Sequence, residues 1–167
     1  GFGVQPEYAM LVWKKFGDES FDCIQGDPYS LCDPDIGVSF QVADQIAQAH
    51  ERPQDDISRV QAGVVYTLRH NVDNGHTCVP RDALVRVSAR LLGVEQELAE
   101  EAVAELCGQF QLMSEEFLGR KYVFLQQQHL YEQYIAGRMK AMLGASDRAL
   151  GGADMQIAVI EEREGIE

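Results

Sequence analysis

Basic residues are scarce in this chain. Its 167 residues hold 14 Lys and Arg against 27 Asp and Glu, a formal net charge of −13 at neutral pH. Phosphate backbones are gripped mainly by cations that displace counterions, so this balance excludes a sequence-independent nucleic-acid clamp and leaves room only for a weak, local contact. Cysteine is sparse too: Cys23, Cys32, Cys78 and Cys107 form no CxxC pair and no regular framework. Reduced thiols and a cytoplasmic location are the expectation. Only His76 and Cys78 lie close enough to suggest a metal pair, and zinc would need two more ligands. No apolar run approaches the roughly 20 residues that span a bilayer, so no membrane partner is expected. Gly1-Phe2-Gly3-Val4 offers neither an initiator Met nor a signal peptide, and the chain reads as an excised piece. Also missing are a GxxxxGK[ST] phosphate loop, GxGxxG, HExxH and GxSxG. The acidic pairs Asp55-Asp56, Glu100-Glu101 and Glu115-Glu116 do not replace them, because neighbours on a helix diverge by roughly 100° and such pairs fit solvated faces. No catalytic residue, metal or cofactor is expected in this fragment.

What is present is a helical pattern with 46% hydrophobic residues, enough to fill one core or two small ones. Tyr8, Leu11, Val12 and Phe16 predict a first helix that stops at Gly17, and Asp18 can cap a second one carrying Phe21 and Ile24. Gly26-Asp27-Pro28 breaks that run. Asp35-Ile36-Gly37-Val38-Ser39-Phe40 then leads into a helix with Val42, Ala43, Ile46 and Ala47 on its core face. A glycine placed between a turn and a helix start can take positive φ and open the helix-terminal N–H groups to a phosphate oxygen; a plain turn is the alternative reading. Arg52-Pro53-Gln54-Asp55-Asp56 is the best candidate for a boundary between units.

Past that break, Ile57, Val60, Val64, Val65 and Leu68 form a helical stripe ending near Gly75. His76 to Val79 suggests a brief strand, and Pro80 opens a helix with Leu84, Val87 and Leu91 inward. Gly93 separates it from a helix with Leu98, Ala102, Val103 and Leu106 facing the core. After Gly108 the period shifts toward two, predicting a β-hairpin around Gly119. Helix, short strand, helix, helix and hairpin is a winged-helix order. A helix follows from Gln127 to Leu143, loosening from Gly144 to Gly152 before a last short helix around Met155, Ile157, Val159 and Ile160. The expected architecture is mostly α: a helix-hairpin-helix unit at 1–52, a winged-helix-like unit at 53–126 and a helical linker at 127–167.

Gly3-Val4-Gln5-Pro6 through Lys15-Phe16-Gly17-Asp18, then Asp27-Pro28-Tyr29-Ser30-Leu31, then Asp35-Ile36-Gly37-Val38-Ser39-Phe40 with Ala43-Asp44-Gln45-Ile46-Ala47, resembles the helix-hairpin-helix region of RecD/TraA-like helicases. The likeness continues through Val60-Gln61-Ala62-Gly63-Val64, Gly75-His76-Thr77-Cys78-Val79-Pro80-Arg81-Asp82-Ala83-Leu84 and Lys121-Tyr122-Val123-Phe124-Leu125. Ile160-Glu161-Glu162-Arg163-Glu164-Gly165-Ile166 resembles the approach to the first motor motifs of that family. The resemblance implies a non-catalytic, DNA-binding or DNA-guiding accessory module of an ATP-dependent 5′-to-3′ DNA helicase of superfamily 1. Its partners would be DNA and its own helicase motor, and ATP and Mg would belong to that motor in the parent protein. A scaffold that packs on the motor without touching DNA is the alternative.

The DNA-binding candidates that follow from the resemblance are Gly3, Val4 and Gln5 at the first turn and Gly37, Val38, Ser39 and Phe40 at the second. Charge adds Arg81, Arg86 and Arg90 on one helix and Arg120 and Lys121 at the hairpin as candidates for a nucleic-acid or partner contact; the alternative reading is that they only balance the glutamates. One departure bears on mechanism. Where the family reads Gly-Ile-Gly this chain has Gly37-Val38-Ser39, so Ser39 is expected at a positive-φ position, with a steric cost that weakens phosphate capture. Residues 1 to 57 also carry three Lys or Arg and eleven Asp or Glu. The helix from Val94 to Cys107, in the place of a groove-reading helix, is acidic throughout.

Overall fold

The computed structural model describes residues 6–150 together with Arg163. Helix α1 (Pro6–Phe16) is followed by a 3-10 turn at Gly17–Glu19, α2 (Ser20–Gly26), a second 3-10 turn at Pro28–Cys32 and α3 (Phe40–Ala49). Next come α4 (Ile57–Asp73), β1 (Val79–Pro80), α5 (Arg81–Leu92), α6 (Gln96–Gly108), the hairpin β2 (Leu112–Phe117) and β3 (Arg120–Leu125), and α7 (Gln126–Leu150). The chain divides into two compact units, Gly1–Gln126 and Gln127–Glu167.

The first unit is mostly helical with a three-stranded antiparallel sheet of order β1-β3-β2. With α4, α5 and α6 this is the winged-helix order expected from the sequence. Val79 pairs with Val123 and Pro80 with Tyr122, while β2 and β3 run in register from Leu112 opposite Leu125 to Phe117 opposite Arg120. Pro80 tolerates strand pairing because β1 is an edge, where its missing N–H interrupts no ladder. The strand lies at the end of the expected His76–Val79 stretch rather than across it.

Two apolar clusters hold this unit. The smaller joins Val12, Ile24, Leu31, Ile36, Val38 and Ile46. The larger runs across the proline-bearing break at residue 53, joining Tyr29, Phe40, Ala43 and Ala47 to the α4 stripe Val60, Val64 and Leu68, and onward to α5, α6 and the sheet. Each fully buried Val or Leu stabilises the fold by about 1.5–3 kcal/mol relative to exposure, before chain entropy is subtracted. A buried ion pair crosses the same break. Arg59 on α4 meets Asp44 on α3 at 2.8 Å, donates to the carbonyls of Gln54 and Leu92, and shares Asp44 with the Tyr29 hydroxyl at 2.7 Å.

Several expectations need correction. On α5, Val87 and Leu91 were expected inward but are 48% and 53% exposed; Leu84, Val85, Ala89 and Leu92 fill the core instead. Apolar residues occupy both stripes of this helix, and packing against α4 selects one. On α1 and α2, Val12 and Ile24 are buried, whereas Leu11 and Phe21 are 40% and 56% exposed. Asp18 does not cap α2, whose N-cap is Glu19. Helix α7 does not end at Leu143 but runs through Gly144 to Leu150, since one interior glycine weakens a helix by only about 1 kcal/mol relative to alanine. The short helix around Met155 and the motif at 160–166 lie outside the described residues, Arg163 excepted.

Candidate nucleic-acid interface

The turn that enters α3 is built by one glycine. Gly37 has φ +77, and a Cβ there would meet nothing within 4 Å, so glycine is required for backbone conformation rather than for space. The turn is tied down from both sides: the Gly37 N–H donates to the Asp33 carbonyl and the Val38 N–H to the Leu31 carbonyl. Val38 and Phe40 are buried, anchoring the loop in the two cores, while Gly37 and Ser39 face outward. Ser39 is not strained. It is the N-cap of α3 with φ −68 and ψ 150, ordinary extended backbone, so the expected steric cost does not arise.

Ser39 makes no side-chain capping bond. Its carbonyl accepts from the Val42 and Ala43 N–H groups, whereas the N–H groups of Ser39, Phe40 and Gln41 have no protein acceptor among the described residues. Three main-chain donors and an uncommitted hydroxyl therefore converge at the positive end of a ten-residue helix, an arrangement suited to an anionic oxygen.

Ser39 and Phe40 border a groove of about 580 Å³ between the α3 turn and α4, lined also by Lys15, Gly37, Tyr66, Arg69 and His70. Lys15 is committed to Asp33 at 2.6 Å and Asp35 at 3.5 Å. The hydrogen bond that Lys15 donates to Asp33 leads the effects that raise the Lys15 pKa. Burial works against the charge on Asp33, but Lys15 and the Asp35 N–H outweigh it and hold that carboxyl below its ordinary range. Arg69 is different: its one hydrogen bond is a 3.4 Å contact to the Cys32 carbonyl, and it pairs with no carboxylate among the described residues. Sequence reasoning missed Arg69, because its signal, a lone cation one turn before the end of a helix, is indistinguishable from solvent-facing charge until α3 is placed beside it.

An aromatic ladder leads out of the core into this groove. Tyr29 and Phe40 stack with centroids 6.0 Å apart, Phe40 and Tyr66 at 5.5 Å, and Tyr66 and His70 at 6.5 Å, with interplanar angles between 21° and 26°. Gln41 donates to the Tyr66 hydroxyl at 2.6 Å, joining the α3 start to α4. His70 is exposed, so the ladder ends in a ring that can accept a further planar partner. Asp27, Asp33 and Asp73 also line the groove and limit its attraction for an anion.

The second set of candidates lies along α5 and the hairpin, apart from the α3 turn. Arg81 is held by Glu100 at 2.7 Å. Arg120 reaches Asp82 with one nitrogen at 3.0 and 3.2 Å from its two oxygens, and Arg86 is 4.0 Å from the same carboxylate. Arg120 is the main cause of the lowered Asp82 pKa. Lys121 and Arg90 are exposed and pair with no acid among the described residues. On α6, Glu100 pairs with Arg81 and Glu105 accepts a hydrogen bond from Gln61. Gly3, Val4 and Gln5 lie outside the described residues. Among the described residues no cluster of His, Cys, Asp or Glu could hold a metal ion, no disulfide joins Cys23, Cys32, Cys78 and Cys107, and no helix is long and apolar enough to cross a membrane.

The geometry of residues 6–78, two helices, a glycine-opened turn and a third helix docked on α4, agrees with a comparison against known families. Residues 1–78 match the family model described as the ATP-dependent RecD2 DNA helicase HHH domain, so this part of the chain is similar to that helix-hairpin-helix domain.

Proposed function

We propose that this chain is a non-catalytic module through which an ATP-dependent 5′-to-3′ DNA helicase engages and guides DNA, with ATP and Mg handled by a motor outside these residues. The observation that carries the reading is the α3 entrance: the N–H groups of Ser39, Phe40 and Gln41 have no protein acceptor among the described residues, and Ser39 and Phe40 line the groove that Arg69 also borders. One phosphate of a DNA strand sits at the helix terminus, Arg69 neutralises it, and His70 with Tyr66 gives an adjoining base a ring to stack on. The acidic surroundings keep affinity low and local, which suits a guide that must let the strand move.

Fluorescence anisotropy with single-stranded, duplex and forked DNA at low salt tests this. Arg69→Ala should weaken binding about 10-fold, the scale of one charge-assisted hydrogen bond, without altering the circular dichroism spectrum. Equal affinity of the two proteins would remove the groove from the DNA path. The acidic face of α6 favours a second reading, a scaffold that packs on the motor with no DNA contact. That reading requires the chain to bind no DNA even when joined to its motor.

A further inference from the structure

The tip of the β2–β3 hairpin combines features that its own unit does not use. Phe117 is 66% and Leu118 89% exposed, so neither contributes its apolar surface to the described core. Leu118 and Gly119 form the two-residue turn, with φ +50 and +76. Positive φ at both central positions is the primed turn that suits strand twist, and it favours Asn, Asp or Gly at the first position. Leu118 therefore combines backbone strain with a side chain left in water, and local packing offsets neither.

The tip is also braced. Six residue pairs join β2 to β3, β1 adds a third strand, and Phe117 sits directly opposite Arg120. Arg120 contacts both oxygens of Asp82 on α5, tying the last strand pair before the turn to the helix behind it. Cations lie behind the tip: Lys121 follows Arg120 on β3, and Arg86, one turn along α5, is 4.0 Å from the Asp82 carboxylate. Glu116 on β2 sits opposite Lys121 and Glu115 is next to it, so charge alone would give this surface little hold on a phosphate backbone. A rigid apolar point with cations behind it fits the flat face of a nucleobase at a place where stacking is interrupted, with phosphates on either side.

We propose that Phe117 and Leu118 form a wedge that stacks on the terminal base pair at a junction between duplex and single-stranded DNA. The inference rests on the DNA-engaging reading above and adds to it a site and a structure preference. The α3 groove holds a strand by its backbone. The hairpin tip recognises the point where the duplex ends.

The full chain is titrated at low salt into a fork carrying 2-aminopurine at its first paired position, and into blunt duplex and single strands of matched length. The wild-type protein should change the junction fluorescence saturably and prefer the fork. Phe117→Ala and Leu118→Asn should abolish the fluorescence change and reduce the fork preference on the order of 10-fold, while single-strand affinity stays constant. Arg69→Ala should instead weaken all three DNAs alike. Thermal melting of each variant checks that the fold is retained. Fork binding with no fluorescence change, or unaltered in both tip variants, overturns the wedge and leaves the groove reading intact. Absence of binding to every DNA by the wild-type chain overturns the groove reading, and the wedge with it.

Discussion

Arg59 is a buried charge with partners on three sides. Its side chain is 8% exposed and that of Asp44 14%, and together with Tyr29 they tie α3 to α4. Removing one partner leaves a buried charge uncompensated, so Arg59→Ala should destabilise the protein by about 3–5 kcal/mol in urea unfolding. Lys in its place should recover only part, lacking the planar fork that reaches Asp44 and two carbonyls at once. The same cluster sets a pH dependence. Burial works against ionised Asp44, but hydrogen bonds from Arg59 and Tyr29 outweigh it and hold its pKa below the usual 3.8. A depressed folded-state pKa stabilises the fold above the unfolded value, and that contribution is lost as pH falls through the folded one. The melting-temperature gap between wild type and Asp44→Asn should therefore be constant from pH 7 to 5 and close below pH 4. A gap that is unchanged at pH 3 would exclude Asp44 as the titrating group.

At the scale of elements, α4 and α5 approach closely because of Gly63. A Cβ there would lie 2.6 Å from Leu92 Cδ2 and 3.0 Å from its Cγ. Alanine favours helix by about 1 kcal/mol over glycine, but overpacking a filled core costs about 1–3 kcal/mol, and Leu92 is buried at the α5 end of that contact. Gly63→Ala should thus lower stability by about 1 kcal/mol in denaturant titration; a more stable variant would mean that Leu92 moves aside freely. The hairpin turn has the opposite sign. Leu118→Asn relieves a left-handed leucine and removes an exposed apolar group, so it should raise stability by about 1 kcal/mol even as it blunts the tip. A melting temperature at or below wild type would argue that Leu118 packs within the protein.

For the whole molecule, a net charge of −13 sets the ceiling on DNA affinity. Among the described residues Arg69 borders the groove without a carboxylate in salt-bridge range, and Lys121 and Arg90 lie outside it, so binding to single strands should neutralise few phosphates. A plot of log affinity against log salt should have a slope between about −1 and −3. A slope near −6 would demand a basic surface that the described residues do not present.

Sequence by itself determined the helices with one apolar stripe, such as α4 through Val60, Val64 and Leu68, and the order that makes a winged helix. It also determined the glycine-opened turn at Gly37 and, by resemblance, the family that residues 1–78 match. These are local properties: a helix period, a change to period two, a residue without Cβ. Tertiary structure decided which of two apolar stripes α5 buries, that Ser39 needs no positive φ, and which cations stay unpaired. The physical reason is the same in each case. Burial and pairing depend on what lies across a contact, and residues such as Cys32 and Arg69, or Asp44 and Arg59, meet only after the chain has folded back on itself.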